Sequence, residues 1–101
     1  MWILIVLSDD LQEIRASLIN VSEEQVLQYL KDHFTVKPYE DDLSTYEGED
    51  NNETQALKKQ IEKAKKATSV AEVMREFDGF RWGEDNRRVV FVIGPDGKEV
   101  L

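Results

Sequence analysis

Residues 2–7 read "WILIVL", and this apolar run is the strongest indication of how the chain folds. Six consecutive apolar residues, three of them β-branched, are typical of a strand that is covered on both faces. A signal peptide or a membrane span needs a longer apolar run, and this one is followed at once by "SDD". We therefore predict a buried strand here and no membrane association.

A second apolar run, residues 89–93, lies at the other end of the sequence as "VVFVI". The next four residues, "GPDG", have proline second and glycine fourth, which fits a type I turn. The turn predicts that residues 98–101 return as a short edge strand and close a hairpin.

Residues 12–20 allow two interpretations. Ile14, Ala16 and Leu18 alternate with polar residues, which predicts a half-exposed strand joined to the first by a turn at residues 8–11. The apolar residues of the same segment also fit one face of a helix. We favour the strand, because a helix here would be short.

The middle of the chain shows helical spacing and capping residues. Helices are predicted at residues 23–34 after Ser22, at residues 53–67 after Asn52, and from Ser69, where the preceding helix either continues or restarts. The predicted fold is a single α+β domain spanning residues 1–101. It has a four-stranded antiparallel sheet made of two hairpins, in ββ-helices-ββ order, with helices packed on one face.

Residues 39–50, "YEDDLSTYEGED", hold six acidic residues and two tyrosines. Proline is favoured at the start of a helix, and acidic residues in its first turn interact well with the helix dipole. Pro38 to Tyr46 is therefore predicted as a short acidic helix that Gly48 ends, with "GEDNN" as the loop after it. Tyr39, Leu43 and Tyr46 are spaced along one helical face.

The charge of the chain is −8 and is unevenly distributed. Residues 1–53 carry 13 acidic and 3 basic side chains, whereas residues 54–101 carry 8 acidic and 10 basic ones. This balance disfavours direct binding to nucleic acid and permits a basic protein partner. The absence of cysteine excludes disulfides and thiolate chemistry, and we expect a cytoplasmic protein.

No motif indicates catalysis, and none indicates a cofactor. The one histidine, His33, lacks a recognisable partner, and the glycines have neither phosphate-loop nor dinucleotide spacing. The twelve residues from Asp42 to Glu53 have the length of a calcium loop, but Tyr46 stands where a ligand is needed and Gly48 is one position late. We predict a protein that is not an enzyme and has no metal site.

The acidic stretch is the leading candidate for function. Aromatic side chains provide buried contact area, and the carboxylates around them steer a basic partner. The size and acidity suggest an inhibitor or antagonist, comparable to immunity proteins and phage counter-defence proteins, that covers a basic, nucleic-acid-binding surface of its partner. The alternative is that the acids only neutralise the lysines of the helix at residues 53–67. The predicted partner-binding residues are Tyr39, Asp41, Asp42, Leu43, Tyr46, Glu47, Glu49 and Asp50.

Two further functions remain open. Arginines beside aromatic rings stack on bases and hold phosphate, so residues 77–88 are predicted to bind a small ligand or nucleotide in one alternative. In the other, a homo-oligomeric assembly protein associates through an exposed sheet edge, which leaves monomer and homodimer both possible. The predicted ligand-binding residues are Phe80, Arg81, Trp82, Arg87 and Arg88.

Overall fold

The apolar run at residues 2–7 forms the middle strand of an antiparallel sheet. The computed structural model describes residues 1–46, 48 and 51–101, apart from the side chains of Asp78 and Glu84. The strands are β1 (Trp2–Leu7), β2 (Ile14–Val21) and β3 (Val90–Ile93), in the order β2-β1-β3. Both pairings are antiparallel, so the α+β class is confirmed.

The prediction of a four-stranded sheet is wrong, because residues 98–101 form no strand. The turn at residues 94–97 closes with a hydrogen bond of 3.0 Å from the Gly97 N–H to the Gly94 carbonyl. Beyond it, the returning chain makes a single bridge to β3, between Ile93 and Glu99. One bridge does not make a ladder, and the part of the chain that the structure describes has three strands.

Residues 14–21 form a strand, which confirms the interpretation we favoured and excludes the helix. The strand contains an irregularity at Asn20. Trp2 lies opposite Val21 and Ile3 lies opposite Ile19, so Asn20 is an extra residue in β2. Its φ of 58° is left-handed, a conformation that asparagine tolerates better than most residues.

Among the described residues, four α-helices lie between β2 and β3, and short helical turns follow two of them. The helices are α1 (Glu23–Leu30), α2 (Lys37–Ser44), α3 (Asn52–Lys66) and α4 (Val70–Glu76). A π-helical turn (Lys31–Thr35) follows α1, and two 3₁₀ turns (Asp78–Arg81 and Glu84–Asn86) follow α4. The capping box at Ser22 is confirmed, and α4 restarts after its own cap at Ser69. Within the described residues, no helix combines the length and the apolar character needed to cross a membrane.

The helices cover one face of the sheet and create the main core. β1 contributes Leu4 and Val6, which lie opposite Leu18 and Ala16 of β2 and therefore share their face. The core also includes Val90, Val92, Val26, Leu30, Val70, Val73 and Met74. All of these residues except Val6 have no exposed surface, which is the packing expected of a close-packed interior.

The opposite face of the sheet carries apolar residues that no helix covers. Ile3 and Ile5 point away from Leu4 and Val6 because side chains alternate along a strand. The residues paired with them share this outer face: Ile19 and Ser17 on β2, and Ile93 and Phe91 on β3. None of these apolar side chains packs against a core cluster in the described structure. The expectation that β1 is covered on both faces is therefore met on one face only.

Helices α2 and α3 pack mainly on each other, around a smaller cluster of Val36, Ile61 and Ala64. Phe77 contacts this cluster and the main core, so it joins the two. The Lys31 ammonium ties α1 to the end of α3, donating to the carbonyls of Lys65 at 2.9 Å and Ala67 at 2.8 Å. A cation at a helix C-terminus satisfies carbonyls that lack helical partners.

Candidate functional site

A cleft lies where the end of α2 meets the start of α3. Its volume is about 390 Å³, which is within the range of small-ligand and side-chain pockets. We call it the acidic cleft. Its lining residues are Tyr39, Asp42, Thr45 and Tyr46 on the α2 side, and Asn51, Glu53, Thr54 and Leu57 on the α3 side.

Helix α2 is shorter than predicted and starts one residue earlier. Pro38 occupies its first turn, where a missing N–H does no harm. The helix ends at Ser44 rather than at Tyr46, and two hydroxyls bond back to carbonyls of its last turn. Ser44 Oγ donates to the Asp41 carbonyl and Thr45 Oγ1 to the Asp42 carbonyl, each at 2.6 Å. These bonds use backbone atoms, so the aspartate carboxylates stay free to face solvent.

Helix α3 is capped by Asn51, one residue before the predicted Asn52. Asn51 Oδ1 accepts from the Thr54 N–H at 2.9 Å, and Thr54 Oγ1 accepts from the Asn51 N–H at 3.0 Å. This reciprocal pair is a capping box. It fixes the α3 side of the acidic cleft, because both residues line it.

The two tyrosines of the acidic cleft differ in how much of the side chain is buried. Tyr39 is half-buried and packs with Leu43 on the Val36–Ile61–Ala64 cluster. Tyr46 lies beyond the last turn of α2 and is 48% exposed. The cleft therefore has one fixed aromatic wall and one accessible ring.

The carboxylates of the cleft are not neutralised by the lysines of α3. In the described structure Lys65 pairs with Glu40 at 3.1 Å and Lys63 pairs with Glu76 at 3.3 Å. Within the same residues, Asp41, Asp42 and Glu53 form no ion pair. Internal neutralisation, the alternative to partner binding, thus accounts for Glu40 alone among the described acids of the stretch.

The structure brings together part of the predicted partner-binding set. Tyr39, Asp42 and Tyr46 share the acidic cleft, and Asp41 is exposed beside it. Leu43 instead lines a separate groove with Ile61 on the other side of α2. The predicted residues Glu47, Glu49 and Asp50 lie outside the described residues.

Sequence reasoning missed the α3 half of the cleft: Asn51, Glu53, Thr54 and Leu57. The signal that could have found it is the short connection between the two helices. When a few residues join two packed helices, the end of the first lies beside the start of the second. Glu53 was also visible as a first-turn acid, but it was considered only as part of a calcium loop.

The five residues predicted for a small ligand are placed in different surroundings. Phe80 stacks on Phe34 with ring centroids 5.0 Å apart. Phe80 lines one cavity, and Arg87 lines a different one. Arg81 is 8% exposed, and its Nη1 lies 3.5 Å from the Met74 carbonyl. Trp82 is 44% exposed.

Arg88, the last of the five, belongs to the outer face of the sheet. It forms an ion pair with Glu99, and its guanidinium lies 4.8 Å from the ring centre of Phe91. Burial, followed by the neighbouring Arg81 guanidinium, lowers the pKa of Arg88 below its ordinary value. The ligand-binding alternative stays a prediction.

The loop between β1 and β2 holds a compact set of polar groups. Ser8 Oγ donates to Asp10 Oδ1 at 2.5 Å, and the Gln12 N–H donates to the same oxygen at 3.1 Å. The hydrogen bond from Ser8 lowers the pKa of Asp10 below its ordinary value. Across the part of the chain that the structure describes, no group of three histidine, aspartate or glutamate side chains is arranged to hold a metal ion.

The comparisons with known proteins find no relative. No protein-family model matches the chain, and no curated protein or solved structure matches it significantly. A function therefore has to be inferred from the acidic cleft itself.

Proposed function

We propose that this protein is a binding module that holds a basic segment of a protein partner in the acidic cleft. The observation that carries the proposal is the combination in one cleft of two tyrosines with the carboxylates of Asp42 and Glu53, which form no ion pair among the described residues. An arginine or lysine side chain fits this chemistry. Its cationic head is attracted to both carboxylates, and its stem and head pack on tyrosine rings.

The surrounding charge supports a basic partner. Residues 39–53 contain seven acidic residues and no basic one, and the chain as a whole carries −8. Such a field speeds the encounter with a positively charged surface and repels acidic ones. Asp41, exposed beside the cleft, adds to this field.

In its narrower form, the proposal makes the protein an inhibitor or antagonist. A basic surface that binds an acidic helix is often one that also binds phosphates, because both ligands present closely spaced negative charge. Occupation of that surface excludes nucleic acid from the partner. Competition between this protein and nucleic acid for the captured partner tests the narrower form separately.

The test of the cleft uses a defined probe, a labelled arginine-rich peptide, and fluorescence anisotropy. The double variant Asp42→Asn/Glu53→Gln is compared with Glu24→Gln/Glu62→Gln, which removes two exposed carboxylates elsewhere. Both variants change the net charge equally, so non-specific attraction falls equally. The expected result is a dissociation constant raised about 10- to 100-fold in the cleft variant and little changed in the control. Equal weakening in both variants would show that only net charge matters and would overturn the proposal.

A further inference from the structure

The outer face of the sheet concentrates the isoleucines of the chain. The sequence has six isoleucines, at positions 3, 5, 14, 19, 61 and 93. Ile61 is buried between the helices, whereas Ile3, Ile5, Ile19 and Ile93 lie on the outer face and outside both core clusters. Ile19 is 63% exposed. A cluster of this kind is unusual on the surface of a protein that works alone.

The sequence also indicates a second covering layer. β1 and β3 are continuous apolar runs, a pattern of strands that are buried on both faces. The described structure supplies one layer of helices, and the shortest dimension of the molecule is 18 Å. Stacked sheets pack about 10 Å apart, so a second sheet is the kind of layer that completes this arrangement.

The charge of the outer face indicates what kind of partner it binds. The three strands carry a single charged residue, Arg15, which lies at the loop end of β2 beside Asp10 and Glu13. At the opposite edge Arg88 is paired with Glu99. The face is thus apolar and nearly neutral on a chain whose charge is −8. A strongly basic partner gains no favourable charge interaction at this face. Two copies of this acidic chain, in contrast, repel each other least when they approach through their neutral faces.

We propose that two copies of this chain associate by stacking the outer faces of their sheets around a two-fold axis, with the acidic clefts on the outside. The proposal is independent of what the acidic cleft binds. In an isologous dimer the same patch serves on both copies, so a flat apolar patch is complementary to itself. Three strands spaced by about 4.8 Å and about 20 Å long cover roughly 300 Å² per copy. Roughly 600 Å² in total is below the size of a stable interface, so we expect a weak dimer with a dissociation constant of about 100 µM or higher.

Sedimentation velocity over a series of concentrations from about 1 µM to 1 mM tests the dimer. The expected mass rises from 11.7 kDa towards twice that value. Ile19→Lys places a charge on the exposed part of the face and should raise the dissociation constant at least about 10-fold. Ala56→Lys adds the same charge to an exposed position of α3 and should leave it unchanged. A monomer at every concentration overturns the proposal, and so does an Ile19→Lys variant that dimerises as well as the control.

A variant on β3 separates stacked faces from pairing of the β2 edges. Ile93 lies two strands away from the β2 edge, so Ile93→Lys disrupts stacked faces and leaves edge pairing intact. Ile93→Thr, which keeps a β-branched residue, replaces it if circular dichroism shows that the lysine variant is unfolded. If the Ile93→Lys variant still dimerises and the Ile19→Lys variant does not, the result contradicts the stacked arrangement.

Isoleucine methyl groups provide a readout that needs no variant. With labelled δ1 methyls, resonances of the outer-face isoleucines should shift with protein concentration while that of Ile61 stays fixed. The same spectra recorded with lipid vesicles distinguish a membrane surface as occupant. Shifts that require vesicles, with none on concentration alone, overturn the dimer.

Discussion

The two faces of the sheet are built from the same residue types and have opposite environments. Leu4 and Val92 on the inner face have no exposed surface, whereas Ile19 on the outer face is 63% exposed. Strand propensity and hydrophobicity do not distinguish the faces, because both are rich in branched apolar residues. The difference arises from the helices, whose apolar stripes supply one layer only. We therefore expect the inner face to contribute most of the stability, and we propose that the outer face serves association.

The largest expected effect is the loss of a large side chain from the inner face. Leu4→Ala leaves a cavity beneath the helices and should lower the free energy of unfolding by about 2–5 kcal/mol. Ile19→Ala on the outer face should lower it by less than about 1 kcal/mol, because most of its side chain already faces solvent. Urea unfolding at about 1 µM protein, where the monomer prevails, measures both. Equal losses would mean that the outer face is as well packed as the inner one.

A smaller effect is expected at Asn20, whose bulge sets which residues of β2 face the helices. The bulge allows Val21 to lie opposite Trp2, and both pack against the main core. Asn20→Gly keeps the left-handed φ of 58° accessible and should leave stability nearly unchanged. Asn20→Val should cost about 1–2 kcal/mol, because a branched side chain disfavours that conformation. Thermal unfolding of the two variants compares them, and an equally stable valine variant would argue against the bulge.

The smallest effect concerns the loop that joins β1 and β2, where the Asp10 carboxylate accepts a hydrogen bond from Ser8. The folded-state pKa of Asp10 lies below its ordinary value of 3.8, so its charged form is favoured in the fold. Its contribution to stability is present above that pH and is lost as the pH falls through the lower folded-state value. Asp10→Asn should thus be slightly less stable than the original chain at pH 7, with the difference vanishing in strong acid. Urea midpoints between pH 2 and 7 check this, and a difference that does not depend on pH contradicts it.

Local sequence patterns predicted most elements but not what covers them. Alternation at Ile14, Ala16 and Leu18 identified β2, and the capping box at Ser22 identified the start of α1. The cap of α3 was placed one residue late, because Asn51 and Asn52 each have a polar residue three positions on. Only the geometry of the turn before the helix determines which of two adjacent asparagines caps it.

Two further predictions failed for a different reason: the fourth strand was predicted but does not form, and the α3 half of the acidic cleft was not predicted. The turn after β3 was predicted correctly, but whether residues 98–101 pair over enough length depends on how the returning chain lies against β3. The acidic cleft required knowing that α2 packs on α3. Tertiary packing of this kind leaves no periodic signal in either helix, so Tyr39 and Tyr46 could be selected from the sequence whereas Thr54 and Leu57 could not.

We propose that the two sides of the molecule have separate roles, with the acidic cleft as the binding site. The most direct test is a nuclear magnetic resonance titration of dilute protein with the arginine-rich peptide, observing backbone amides and isoleucine methyls together. We expect amide shifts at Tyr39, Tyr46 and Glu53, unchanged methyl resonances at Ile19 and Ile93, and loss of the shifts in Asp42→Asn/Glu53→Gln. Shifts centred on the outer face, or shifts that persist in that variant, would contradict it.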